Sequence, residues 1–193
     1  MNGYNFTERV RRVLAQAREE ADALGHRYVG CEHELLGLLA SGGVATTVLE
    51  NLGVELSRLA EVVKQTLKPG VSNDRWNAAD LPYTAGAKKV LEYAMNEARE
   101  LNHSYVGTEH LLLGLLREKK GNAARVLSSF GVTLEKARAE TLRILGVEIS
   151  GPLSPPTGER PRLVHITLTY SNGAVVGRDF MDTVDAARFL SDQ

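Results

Sequence analysis

Among its 193 residues the chain has a single cysteine, Cys31. That excludes an internal disulfide framework and any multi-cysteine zinc site. A basic excess is missing too: 23 Lys+Arg stand against 24 Asp+Glu, a formal charge of −1. A protein that binds nucleic acid regardless of sequence needs such an excess to neutralise phosphates, so no nucleic-acid partner is expected. No apolar run approaches the roughly 20 residues of a membrane span. The opening residues MNGYNFTERVRRV contain no apolar signal core, so no membrane partner is expected and the expected location is cytoplasmic. What is present, 43% hydrophobic and 24% charged residues, lies in the ordinary globular range. The length allows one domain of about 150 residues with an appendage, or two small domains.

A duplication decides between these. LGHRYVGCEHELLGLL (24–39) recurs as LNHSYVGTEHLLLGLL (101–116), and residues 6–39 match 83–116 at 18 of 34 positions. After a one-residue insertion, VATTVLENLGV (44–54) lies over NAARVLSSFGV (122–132). The organisation read from this is a double-repeat domain over 1–146, with repeat one at 1–67, a loop at 68–82 and repeat two at 83–146. The loop carries Pro69, Gly70, Asn73, Asp74 and Pro82.

Helical spacing of apolar residues predicts four helices per repeat. Val10, Val13, Leu14, Ala17 and Ala21 make the first stripe, and Leu56, Leu59, Val63 and Leu67 the fourth. Gly25, Gly53, Gly131 and Gly146 follow stripe ends, where helices stop. The fold class expected is all-α, eight helices in two tandem four-helix repeats, with a small ββα tail. Residues 147–161, rich in Pro and Gly, read as a linker. In 162–193, two β-rich runs flank Ser171-Asn172-Gly173, a hairpin signal, and a short helix follows Asp182 or Thr183. About 32 residues are too few for an independent core, so the hairpin is expected to dock, bind a partner or form a homodimer.

The doubled Gly-[Cys/Thr]-Glu-His-x-Leu-Leu-Gly-Leu-Leu motif, with FTERVRRVL at 6–14, resembles the N-terminal domain of Clp-type AAA+ unfoldases, the ClpC branch above all. The likeness covers about residues 4–146. Those unfoldases continue into ATPase modules, but no G-x-x-x-x-G-K-[ST] loop occurs here, and Gly86-Ala87-Lys88-Lys89 falls in a predicted helix with the wrong spacing. A stand-alone Clp N-domain is therefore expected, with no catalytic residue and no cofactor. The resemblance implies a protein-binding module, with Clp ATPase or protease subunits, adaptors or marked substrates as partners. A decoy that sequesters ligands of the unfoldase and a redox sensor built on Cys31 are the alternatives.

Glu32 and Glu109 occupy equivalent places just inside the second helix of each repeat. A carboxylate there complements free helix-start amides and the helix dipole. The resemblance implies more: that these glutamates receive the guanidinium of phosphoarginine, a degradation mark, with the amides taking its phosphate. Thr108 is a good N-cap and Cys31, its counterpart, a poor one, although Glu34 could complete a capping box. The first site is thus expected to be the weaker. At a helix N-terminus beside His33, the Cys31 thiol could have a depressed pKa, yet no oriented base or oxyanion pocket is in view. His26/His103 and His33/His110 have the spacing H-x5-E-H, unlike a zinc helix, so packing or capping is expected and metal is not. Arg9, Arg11, Arg12 and Arg18 alternate with Glu8, Glu19 and Glu20, as on a solvated helix face. The leucines of 35–39 and 111–116 read as core.

Overall fold

In the computed structural model the chain forms two compact units, residues 1–149 and 150–193. The structure describes residues 5–68, 70 and 78–146, and the backbone of 164–169 and 175–180.

The first unit holds eight α-helices among its described residues. Repeat one contributes α1 (Glu8–Ala23), α2 (Cys31–Ser41), α3 (Val44–Asn51) and α4 (Leu56–Thr66). Repeat two contributes α5 (Ala85–Glu100), α6 (Thr108–Arg117), α7 (Asn122–Ser129) and α8 (Leu134–Ile144). Thr7 and Thr84 start α1 and α5, their hydroxyls accepting the amides of Val10 (3.3 Å) and Ala87 (3.2 Å). The stripe Val10, Val13, Ala17 and Ala21 is fully buried, as are Leu35, Leu38, Leu111, Leu112 and Leu113. The expectation of two four-helix repeats holds.

The glycine of each Leu-Leu-Gly-Leu-Leu has a packing reason. A Cβ on Gly37 would overlap the carbonyl of Val13, and one on Gly114 the carbonyl of Val90. Only a residue without a side chain lets α2 lie this close on α1, and α6 on α5.

One element escaped the helical reading. The repeats exchange short strands: β1 (Asn5–Phe6) pairs in parallel with β2 (Tyr105–Val106), and Val29 bridges Tyr83 in the corresponding place. The amide of Thr7 donates to the Val106 carbonyl (3.0 Å), and that of Thr84 to Val29 (2.9 Å). The start of each repeat is thereby tied to the loop before the second helix of the other. Both ends of the duplicated motif are brought together by this reciprocity.

In the second unit, β3 (Val164–Thr169) and β4 (Val175–Phe180) pair antiparallel, with Val164 opposite Phe180 and Thr169 opposite Val175. The helix expected after Asp182 or Thr183 and the linker at 147–161 lie outside the described residues.

Candidate functional site

Each second helix begins one residue earlier than its side chains suggest. Gly30 and Gly107 are the N-caps, so Cys31 and Thr108 are the first helical residues and His33 and His110 stand at N3. The Gly30 amide donates to His33 Nδ1 and the Gly107 amide to His110 Nδ1, both at 2.9 Å. His33 Nε2 then carries the proton and donates to His26 Nδ1 (2.8 Å), and His26 Nε2 donates to the Lys68 carbonyl (2.6 Å). His110 and His103 repeat the contact at 2.8 Å. The histidines thus form capping relays, and burial, then the neighbouring histidine, holds His33 and His110 down at about 4.

This geometry corrects the reading of Glu34 as a capping partner. At N4 it is turned inward, fully buried, and neither carboxyl oxygen has a hydrogen-bond partner. Burial, with Glu32 nearby, pushes its pKa well above the usual carboxylate range. It corrects Cys31 as well. The thiol is 6% exposed, and burial followed by Glu34, Glu32 and Glu118 pushes it up to about 12, against the small opposing effect of the helix amides. A thiol so placed is inert. Iodoacetamide at pH 8 should therefore alkylate Cys31 at least about tenfold more slowly than a free thiol, and equal rates would revive the sensor reading.

The two duplicated helix starts differ in access. At the first, an open cleft of about 560 Å³ is lined by Gly30, Cys31 and Glu32 at the start of α2, Thr84 and Gly86 at the start of α5, Lys68, and Glu118, Lys120, Gly121 and Asn122 from the end of α6 to the start of α7. Glu32 is half-buried at its edge. Glu118 is 8% exposed and its Oε2 lacks a hydrogen-bond partner. At the second start, Glu109 and Thr108 are each 3% exposed. Thr108 Oγ1 accepts the Ala45 amide (3.3 Å), and the Arg9 side chain lies across Gly43 beside that hydroxyl. Burial raises the Glu109 pKa, opposed by helix amides, His103 and Thr108.

One pair in the repeat alignment differs accordingly. Arg9, beside Thr108 in the structure, corresponds to Gly86 in repeat two, which faces Cys31 with no side chain. The structure thus places the cleft at the first site, expected to be the weaker. Glu118 was missed because it sits past the end of α6, in the stretch where the alignment carries its insertion.

His103, Glu109 and His110 bring potential ligand atoms within 4.8 Å of one another, closer than adjacent Glu-His residues were expected to come. His110 Nδ1 already accepts from Gly107 and lies 3.4 Å from Glu109 Oε1. An ion taken by His110 would have to break the capping bond or the bond to His103. Among the described residues no helix is long and apolar enough to cross a membrane.

Comparison with known proteins fits this architecture. The family model of the Clp repeat (R) N-terminal domain matches residues 5–130 and 82–150. Chaperone protein ClpB of Oceanobacillus iheyensis is 50% identical over 142 residues, covering 73% of this chain and 17% of the relative. The negative regulator of genetic competence ClpC/MecB of Bacillus subtilis is 42% identical over 181 residues, covering 93% and 22%. The chain therefore spans about a fifth of the length of these relatives. Among solved structures, the N-terminal domain of ClpD from Arabidopsis thaliana superposes with a TM-score of 0.59 at 27% identity, over 74% of this chain and 95% of that one. The Hsp104 N-terminal domain of Candida albicans, at 18% identity and a TM-score of 0.63, shares the fold. From its doubled motif, its interlocked helical repeats and these matches, the chain belongs to the Clp repeat (R) N-terminal domain family.

Proposed function

We propose that this chain is a non-enzymatic protein-binding module that works beside a Clp unfoldase–protease, taking adaptors or marked substrates at the start of α2. The observation that carries the reading is the open cleft there, with Glu32 and Glu118 among the residues that line it. Carboxylates suit a guanidinium, which they bind through paired charge-assisted hydrogen bonds. The free amides of the α2 N-terminus, with Lys68 and Lys120 at the lining, suit a phosphate. Both ends of phosphoarginine are thereby provided for, with Glu32 as the principal ligand and Cys31 contributing the floor. Glu109 and Thr108 are the equivalent pair of a second site that opens only when Arg9 moves aside. Delivery of marked substrates and sequestration as a decoy use the same cleft. A pull-down separates them, since only delivery retains Clp ATPase or peptidase subunits.

Calorimetry with free phosphoarginine tests the reading. Wild type should bind one equivalent at the accessible site, Glu32→Ala should weaken it about tenfold, and Glu109→Ala should leave it nearly unchanged. Absence of binding to wild type, or equal losses in the two variants, would refute it.

A further inference from the structure

A second surface differs between the repeats as sharply as the helix starts do. In repeat two, Arg117 at the end of α6 and Arg138 on α8 converge on the fully buried carboxylate of Glu97 on α5. Arg117 Nη1 lies 2.9 Å from Glu97 Oε1, and Arg138 Nη2 lies 2.6 Å from Oε2. Both also reach Glu100, at 3.0 and 2.7 Å, and the Arg117 guanidinium rests on the Tyr93 ring, 5.3 Å from its centre. Through these pairs α6 and α8 are both tied to α5.

Repeat one keeps the frame and lacks the arginines. Leu36, Leu39 and Leu56 stand where Leu113, Leu116 and Leu134 stand, and Glu20 where Glu97 stands, but Ala40 replaces Arg117 and Ala60 replaces Arg138. A groove of about 220 Å³ opens in their place, lined by the three leucines, the two alanines, Glu20 and Lys64. Glu20 is left with long contacts only: the Gln16 amide at 3.4 Å and the half-exposed Lys64 ammonium at 3.5 Å. An exposed pair of that length is weak, and a planar guanidinium outcompetes an ammonium for a carboxylate because it binds through two parallel bonds.

We infer that this groove receives an arginine, flanked by apolar side chains, from a segment of a partner protein: the guanidinium pairs with Glu20 where repeat two uses its own Arg117 and Arg138, and the neighbouring apolar side chains cover Leu36, Leu39 and Leu56. Charge and shape both point to this occupant, because the second repeat displays the filled form of the same frame. The surface shares no lining residue with the cleft at α2, so partner and marked substrate can be held at once.

The test uses the full chain and a capped peptide, acetyl-LARLLA-amide, with its citrulline analogue, which keeps the shape and removes the charge. Wild type should bind the arginine peptide below 1 mM on the order of the weaker peptide interfaces, and citrulline should weaken binding about fivefold. Ala40→Arg/Ala60→Arg, which installs the arginines of repeat two, should weaken it at least about tenfold while phosphoarginine binding at the cleft is retained. Glu20→Gln leaves the groove open and should abolish the preference for arginine over citrulline. Circular dichroism of each variant confirms the fold. Failure of wild type to bind, or binding that survives Ala40→Arg/Ala60→Arg, overturns the inference. So does a concentration-dependent dimer that the double variant disrupts, which would assign the groove to a second copy of this chain.

Discussion

Replacing Glu34 by leucine should stabilise the helical unit by about 2 kcal/mol at pH 7, measured by urea unfolding followed by circular dichroism. The carboxyl is fully buried and neither oxygen has a hydrogen-bond partner, so the fold bears the cost of desolvating it with nothing in return. Burial, then Glu32, raises its pKa, which means that part of this cost is taken as an uptake of protons. Leucine adds apolar burial instead, and the position accepts it: the counterpart in repeat two is Leu111, fully buried in the same setting. Glu34→Gln separates the two contributions. An amide in that place is still unpaired, so its stability should stay within about 1 kcal/mol of wild type. Arg18, whose guanidinium lies 5.0 Å from the Tyr83 ring centre, acts on the same phenol as Glu34. A loss of stability in Glu34→Leu would mean that Arg18 holds the carboxylate, and the account of Glu34 would fail.

Repeats expose what was legible and what was not. The eight helices could be read because each buries a stripe at helical spacing, and the duplication supplied every element twice. The motif's histidines were readable as capping groups because a metal would need different spacing. Their true register was not: a glycine N-cap has no side chain to announce itself, so Cys31 and Thr108 took its place in the reading and Glu34 was moved to N3. The strands β1 and β2 are two residues each, too short for any periodicity, and their partners lie about 100 residues away. The cleft and the groove depend on side chains that one repeat has and the other lacks. Arg9 against Gly86 stands as a mismatch inside the aligned stretch, whereas Ala40 and Arg117 fall at the insertion and Ala60 and Arg138 lie beyond the second matched segment. What they cover could not be known until the helices were packed, because each pair meets a frame built from distant segments.

Acidification should weaken the helical unit well before ordinary carboxylates are protonated. His33 and His110 are fully buried, and burial followed by the paired histidine lowers each from 6.5 to about 4. The unfolded chain therefore binds more protons between these values, and stability is lost as pH falls through that window. Between pH 7 and 5 each histidine should remove about 2 kcal/mol. The structural cause is the relay itself: a proton added to His33 Nδ1 would face the Gly30 amide that it now accepts from at 2.9 Å. Glu34 and Glu109 act in the opposite sense. Their raised pKa values let the folded state take protons first, so their contribution improves as pH falls toward 4.5. Urea unfolding at pH 7, 6 and 5 should show a net decline in wild type and a steeper one in Glu34→Leu, which lacks one of the offsetting groups. His33→Gln keeps an acceptor at N3 for the Gly30 amide and removes one titrating ring, so its decline from pH 7 to 5 should be smaller than that of wild type by about 2 kcal/mol, whatever its stability at pH 7. Stability that holds level or rises from pH 7 to 5 in Glu34→Leu would show that the buried histidines do not titrate as neutral caps.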